Sequence, residues 1–212
     1  MYPVNLKMKG LPCLVIGGGH IAVRKVKKLL LEDAEVTVLA PEISPELMQY
    51  FREKRISWQQ ASYRKGDAKG YRFVVTACGI RQVAEWVHEE SLLQSFLYNA
   101  ADFPPLGNCS LPAAFETGGI HFAISTDGRS PAMAKYVKNW LKGRIPPAFG
   151  VWLDKAALLR EELRNEIADS RDRERFWHMV FDDEIMNLDI TGKLDEAEER
   201  VRNAVGCFRS ES

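Results

Sequence analysis

Over the first hundred residues, apolar positions gather into short β-rich runs, separated by longer stretches in which they recur every three or four residues. The runs "PCLVI" (12–16), "EVTVLA" (35–40), "ISWQQ" (56–60), "RFVVTA" (72–77) and "SFLYNA" (95–100) predict strands. The intervening periodicity predicts helices over about 20–32, 44–54 and 80–93. Strand alternating with helix implies parallel strands joined by right-handed crossovers, hence a doubly wound α/β sheet.

After Asp102 the texture changes. "FPPLGNCSLPAAFETGG" is rich in proline, glycine and small residues and reads as irregular, and "IHFAIST" (120–126) then reads as one more strand. "DGRS" predicts a turn, with Ser130 as the N-cap and Pro131 as the first residue of a helix running to about Leu141. "KGRIPPAFG" (142–150) reads as a linker. Residues 151–206 carry charge-rich helical patterns, among them "KLDEAEERVRNAV", led by Asp189, Thr191 and Gly192. The expected division is an α/β domain over 1–112, a small mixed α/β segment over 113–146 and a helical region over 147–212.

Charge narrows the functional classes. The 212 residues carry 29 basic and 29 acidic side chains, so the chain lacks the basic excess of a general nucleic-acid or membrane-surface binder. No apolar run is long enough to span a bilayer, and the first ten residues lack the apolar core of a signal peptide. Cys13, Cys78, Cys109 and Cys207 form no Cys-x-x-Cys pair and read as reduced, mostly buried thiols of a cytoplasmic protein.

The chemistry concentrates in "VIGGGHIAVRKVKKLL" (15–30). Gly17, Gly19 and Ala22 fit G-x-G-x-x-G/A directly after a strand and at the opening of a helix, with Gly18 as a further glycine. Such a turn brings backbone amides and a helix N-terminus onto a pyrophosphate. On a helical wheel Ala22, Val23, Val26, Leu29 and Leu30 fall on one side. Arg24, Lys25, Lys27 and Lys28 fall on the other and read mainly as a solvated face. The second strand ends in Ala40-Pro41, and Glu42 follows as either a ribose ligand or an ordinary loop acid. No arginine stands there to receive a 2′-phosphate, which favours NAD over NADP. Thr76 and Ala77 end the fourth strand on the nicotinamide side. Asn99 and Asp102 follow the fifth, at the carboxyl edge where open α/β sheets bind ligands. Asp102 is a candidate acid–base group, or else a turn former before Phe103-Pro104-Pro105.

"VNLKMKGLPCLVIGGGHIAVRKVKKLL", "VTVLAPE", "VVTACG", "YNAAD" and "FAISTDGRSPAMAKYVKNWL" stand in the order and at about the spacing of precorrin-2 dehydrogenases. The chain resembles that family, both the stand-alone enzymes and the amino-terminal module of siroheme synthase, over residues 1 to about 145. The resemblance implies a Rossmann-like sheet followed by a dimerisation and substrate segment. It implies oxidation of precorrin-2 to sirohydrochlorin with NAD as hydride acceptor, in siroheme or related tetrapyrrole synthesis. It also implies a homodimer in which residues around 115–145 exchange contacts between subunits. Asp102 matches the family's functionally important aspartate. His20, Ile21, Pro41 and Glu42 match cofactor-contacting positions. Some members also insert Fe²⁺ into sirohydrochlorin and others do not. The methyltransferase domain of the longer synthases is expected to be absent, since the chain ends at 212.

That substrate is a polycarboxylate, for which Arg24, Arg129, Lys135 and Lys138 are candidate partners. Asn99, Ser125, Thr126 and Ser130 complete the candidate substrate set. Each of the four cations reads equally well as a surface charge. His20, His88, His121 and His178 show no ligand spacing, so no protein metal site is expected, although transient metal insertion needs none. Two rival readings stand beside this one: a dehydrogenase of another small substrate, and a regulatory module that senses NAD(H).

Overall fold

Burial on both faces explains why the first strands are almost continuously apolar. In the computed structural model, which describes residues 1–145, 148–164 and 166–211, Cys13, Leu14, Val15 and Ile16 are all buried. The side chains of Asp189, Cys207, Arg209, Ser210 and Glu211 lie outside the described residues, as do Pro146 and Pro147 of the expected linker.

The chain divides into two units, residues 1–111 and 112–212. The first runs β1 (Pro12–Ile16), α1 (His20–Leu31), β2 (Glu35–Leu39), α2 (Pro45–Arg52), β3 (Ser57–Gln59), β4 (Phe73–Thr76), α3 (Arg81–Gln94) and β5 (Leu97–Ala100). All five strands are parallel, in the order β3-β2-β1-β4-β5. The order reverses between β1 and β4, which opens a crevice beyond their carboxyl ends. One core cluster joins Val15, Val38 and Val75 to Val26 of α1 and Leu47 of α2. The other joins Leu14, Val74 and Tyr98 to Val83 and Val87 of α3.

Strands β1 and β5 end where expected, and β2, β3 and β4 each stop one residue short. Ala40 and Ala77 lie past β2 and β4, yet their N–H groups still donate to Gln59 and Ile16 carbonyls. A single 3₁₀ turn at Pro104–Leu106 then folds the chain back over β5. Asn108 Oδ1 accepts from the Tyr98 N–H at 2.7 Å, and its Nδ2 donates to the Phe96 carbonyl at 2.9 Å. These bonds occupy part of an edge strand that would otherwise be unpaired.

The second unit corrects two expectations. Residues within "AAFETGG" form a strand, β6 (Ala113–Thr117), paired antiparallel with β7 (Ile120–Ile124). Its composition hid it, since only Phe115 of β6 is buried. Phe115 stacks on Phe122 directly across the pair, with ring centroids 4.7 Å apart. Gly118 and Gly119 both take positive φ, as a two-residue hairpin turn requires. Helix α4 (Pro131–Lys142) packs on the hairpin, and the Ser130 hydroxyl accepts from the Met133 N–H. The second correction concerns 148–150. These residues open α5 (Ala148–Leu163) instead of belonging to a linker, and a Cβ on Gly150 would collide with Gly118. Helices α6 (Ser170–Val180), α7 (Asp183–Ile190) and α8 (Leu194–Glu211) complete the unit around Trp152, Leu159, Phe176, Ile185 and Val201.

Candidate functional site

The glycine turn is shaped by what crowds it. Gly17 holds φ at 127°, and a Cβ there would strike the Ala77 carbonyl. A Cβ on Gly18 would strike the Glu42 carbonyl, while the Gly18 carbonyl accepts from the Ser44 N–H at 2.9 Å. Around Gly19, by contrast, there is open space. It is the N-cap of α1, and no side chain caps the helix. The first amides of α1 are therefore free to receive an anion, as a pyrophosphate cradle requires.

A cleft of about 470 Å³ opens at this point. Gly17, Gly18 and Gly19 form its floor, Pro41 and Glu42 one wall, and Ala77 and Cys78 another. Trp58 Nε1 donates to the Ala40 carbonyl at 3.0 Å and fixes the tip of β2 beside it. Tyr63 closes the cleft from the loop after β3, a contribution the sequence reading missed. Its hydroxyl donates to Glu90 Oε1 at 2.9 Å, and the Gly66 N–H donates to the same oxygen, so α3 holds this loop in place. Burial, reinforced by Glu90, pushes the Tyr63 pKa up, and burial also raises that of Cys78.

The other nucleotide candidates occupy different positions. His20 is exposed, Ile21 is half-buried, and Ala22 is packed beneath α1, where only a small residue fits between helix and sheet. The Thr76 hydroxyl lies 2.9 Å from the Tyr98 hydroxyl, which in turn donates to the Ala84 carbonyl, so Thr76 donates to Tyr98. The Thr76 hydroxyl is thus engaged inside the protein, tying β4 to β5 and α3. Burial raises the Tyr98 pKa to about 12.

Beyond β5, the half-buried Asp102 accepts from the Gly79 N–H through Oδ2 at 2.7 Å. This bond joins the exit of β5 to the loop that leaves β4 and walls the cleft. Asn99 is buried, and its Oδ1 accepts from Lys25 Nζ at 2.9 Å while its Nδ2 donates to the Cys109 carbonyl at 3.1 Å. Lys25 therefore departs from the solvated face expected for it, whereas Arg24 is exposed. The wheel puts Lys25 only at the border of the apolar face: at about 100° per residue it stands about 40° from Leu29 and about 60° from Ala22. Burial, with Lys28 and Arg24 alongside, lowers the Lys25 pKa, and Cys109 and Asp102 oppose that shift.

Ser125, Thr126, Arg129, Ser130 and Lys135 belong to the second unit. Thr126 Oγ1 bonds both the N–H and the carbonyl of Ser130, and Arg129 Nε donates to the Thr126 carbonyl. Ser125 Oγ accepts from the Asp127 N–H, and Lys135 is exposed on α4. His88 Nδ1 lies 2.7 Å from the Leu106 carbonyl, a structural contact. Among the described residues no cluster of three or more histidine, cysteine or acidic side chains could hold a metal ion. A larger cavity, about 680 Å³, lies in the second unit beside Trp177 and Phe181. Of the two, the smaller cleft is the better candidate for a nucleotide, because it combines the uncapped start of α1 with the strand-order reversal.

Residues 4–113 match a family described as putative NAD(P)-binding, and residues 148–205 match the sirohaem synthase dimerisation region. The siroheme synthase of Nitrosococcus oceani is 33% identical over 92% of this chain and 42% of its own length. That of Methylococcus capsulatus is 31% identical over 92% of this chain and 41% of its own. The chain thus spans well under half the length of these curated relatives. Among solved structures, SirC, a precorrin-2 dehydrogenase, superposes with a TM-score of 0.76 at 27% identity, covering 96% of this chain and 100% of that one.

Proposed function

This chain belongs to the NAD(P)-binding family of precorrin-2 dehydrogenases and siroheme synthases, and we propose that it oxidises precorrin-2 to sirohydrochlorin with NAD. The observation that carries this reading is the Asp102–Gly79 hydrogen bond. It sets a carboxylate next to the loop that walls the nucleotide cleft.

The glycine turn fits a dinucleotide: two of its positions admit no side chain, and the third opens onto free helix amides. NAD, when bound, supplies the hydride acceptor. Oxidation of precorrin-2 removes two electrons as a hydride, together with a proton. The Asp102 carboxylate would take that proton. Holding Asp102 on a backbone N–H orients it before substrate arrives, and such orientation contributes part of the rate. Pro41 and Glu42 form the wall after β2, and an acid there suits ribose hydroxyls and repels a 2′-phosphate, which supports NAD over NADP. His20 and Ile21 flank the pyrophosphate end in this reading. Arg24, Arg129 and Lys135 are surface cations suited to substrate carboxylates, with Ser125, Thr126 and Ser130 supplying polar contacts.

The protein acts as a homodimer. The match to a dimerisation region supports this, as does α4, which leaves Met133, Tyr136 and Trp140 exposed along one stripe. Among the described residues no helix is long and apolar enough to cross a membrane, and Cys13, Cys78 and Cys109 are free thiols, in keeping with a cytoplasmic setting.

Anaerobic mixing of the protein with fresh precorrin-2 and NAD tests the reading. The sirohydrochlorin spectrum should appear together with NADH, and Asp102→Ala should abolish turnover while still binding NADH. NADH binding without any turnover by the unmodified protein would favour a sensing module instead. The same preparation given sirohydrochlorin and Fe²⁺, against a protein-free blank, reads chelation directly.

A further inference from the structure

Lys25 is the one basic residue of the glycine-turn helix that the fold pulls inward. Its Nζ is held by Asn99 Oδ1 at 2.9 Å, and Asn99 is itself fixed by the Cys109 carbonyl at 3.1 Å. Asn99 lies three positions before Asp102 on the same strand exit, and Asp102 is anchored on Gly79. Among the described residues Lys25 makes no ion pair, and Asn99 is its only hydrogen-bond partner. An ammonium carries three donors, so two of them are left for another acceptor.

A half-buried cation with a neutral amide as its sole partner is an unusual arrangement, since burial of a charge is costly until an opposite charge meets it. Around it stand Arg24 and Lys28 on its own helix, and Asn99, Asp102 and Cys109 from the β5 side. The Cys109 thiol is pushed up to about 11 by burial, so near neutral pH it offers no anion. Asp102 is committed through one oxygen to Gly79. The local field therefore favours an incoming anion at Lys25.

We propose that Lys25, oriented by Asn99, receives a carboxylate of the tetrapyrrole and so captures the substrate on the side of the site where Asp102 stands. This rests on the precorrin-2 reading above and adds a specificity-determining residue to it. The contact exists before and during the reaction alike, so its loss weakens substrate capture without slowing the chemical step.

Steady-state rates against precorrin-2 concentration, at saturating NAD, test this with Lys25→Met, Lys25→Gln and Lys25→Arg in the full chain. For Met and Gln, KM for precorrin-2 should rise about ten- to hundredfold, the range for a lost charge-assisted hydrogen bond, with kcat within a few-fold of the parent. Arg should restore part of the KM. NADH affinity, read by fluorescence, should stay within about twofold, and sirohydrochlorin binding should weaken in parallel with KM. Gln keeps a polar group near Asn99, so it serves if Met does not fold. An unchanged KM in a folded Met or Gln variant overturns the Lys25 assignment alone. A joint loss of kcat, NADH affinity and thermal stability also overturns it, by showing a structural role. If the unmodified protein neither binds sirohydrochlorin nor turns over precorrin-2, the underlying reading fails instead.

Discussion

The two ends of the candidate site are built from different materials. At Gly17, Gly18 and Gly19 the chain offers backbone: two positions where a side chain collides with a neighbouring carbonyl, and a third that faces open space. At Lys25, Asn99 and Asp102 it offers side chains, each held by hydrogen bonds to other parts of the fold. A backbone cradle rejects side chains where its neighbours crowd it, at Gly17 and Gly18. A side-chain cluster tolerates more, and it exists only once distant elements have been brought together. In the reading proposed above, the first end takes what many enzymes share, a dinucleotide, and the second takes what would distinguish this one.

The sharpest way to break that contrast is Gly18→Ala. One methyl group would have to displace either the glycine turn or the Glu42 carbonyl, so we expect no measurable NADH binding and a stability loss above ~3 kcal/mol in urea unfolding. Gly19→Ala is its companion. Its φ is −87° and its surroundings are open, so it should unfold like the parent while binding NADH more weakly, because the methyl stands where the pyrophosphate docks. Normal NADH binding by Gly18→Ala would mean that the turn is not a rigid cradle.

A smaller effect is expected at the other end. Asn99→Leu keeps the volume but removes the Lys25 acceptor and frees the Cys109 carbonyl, which should lower stability by about 2 kcal/mol in the same assay. NADH affinity should hold within about twofold. A large loss of NADH binding would show that the two ends are mechanically coupled.

A third test is a pH dependence shared by both ends. Burial raises the Cys13 thiol, in β1, and the Cys109 thiol to about 11 each. An unfolded thiol ionises near ~8.5, so above that pH the unfolded chain releases protons that the folded chain retains. The stabilisation is complete below ~8.5 and is lost as pH rises through about 11. The urea midpoint should fall between pH 8 and 10.5, and fall less in Cys13→Ala. Equal slopes would remove Cys13 from the account.

What could be read from the chain follows the same division. The first unit was legible because its central strands, β1 and β4, are apolar along their length and each helix shows its own period. Strand β6 was not, because its burial rests on Phe115 alone. Its one local sign, Gly118-Gly119 between two short runs, counts only when the runs are seen as partners. Thr76 ends β4, but its partner Tyr98 lies on the neighbouring strand and takes its hydroxyl into the core. Lys25 sat at the border of the apolar face, where a wheel alone does not decide between solvent and interior.

By itself the sequence determined the doubly wound sheet, the place of the glycine turn within it and the position of Asp102 past the fifth strand. Periodicity, backbone freedom and chain order are local properties, and they survive being read one residue at a time. Only the tertiary structure decided that Asp102 rests on Gly79, that Thr76 turns inward and that Lys25 meets Asn99, 74 positions away. Those are contacts between segments whose separation in sequence carries no information about their distance in space.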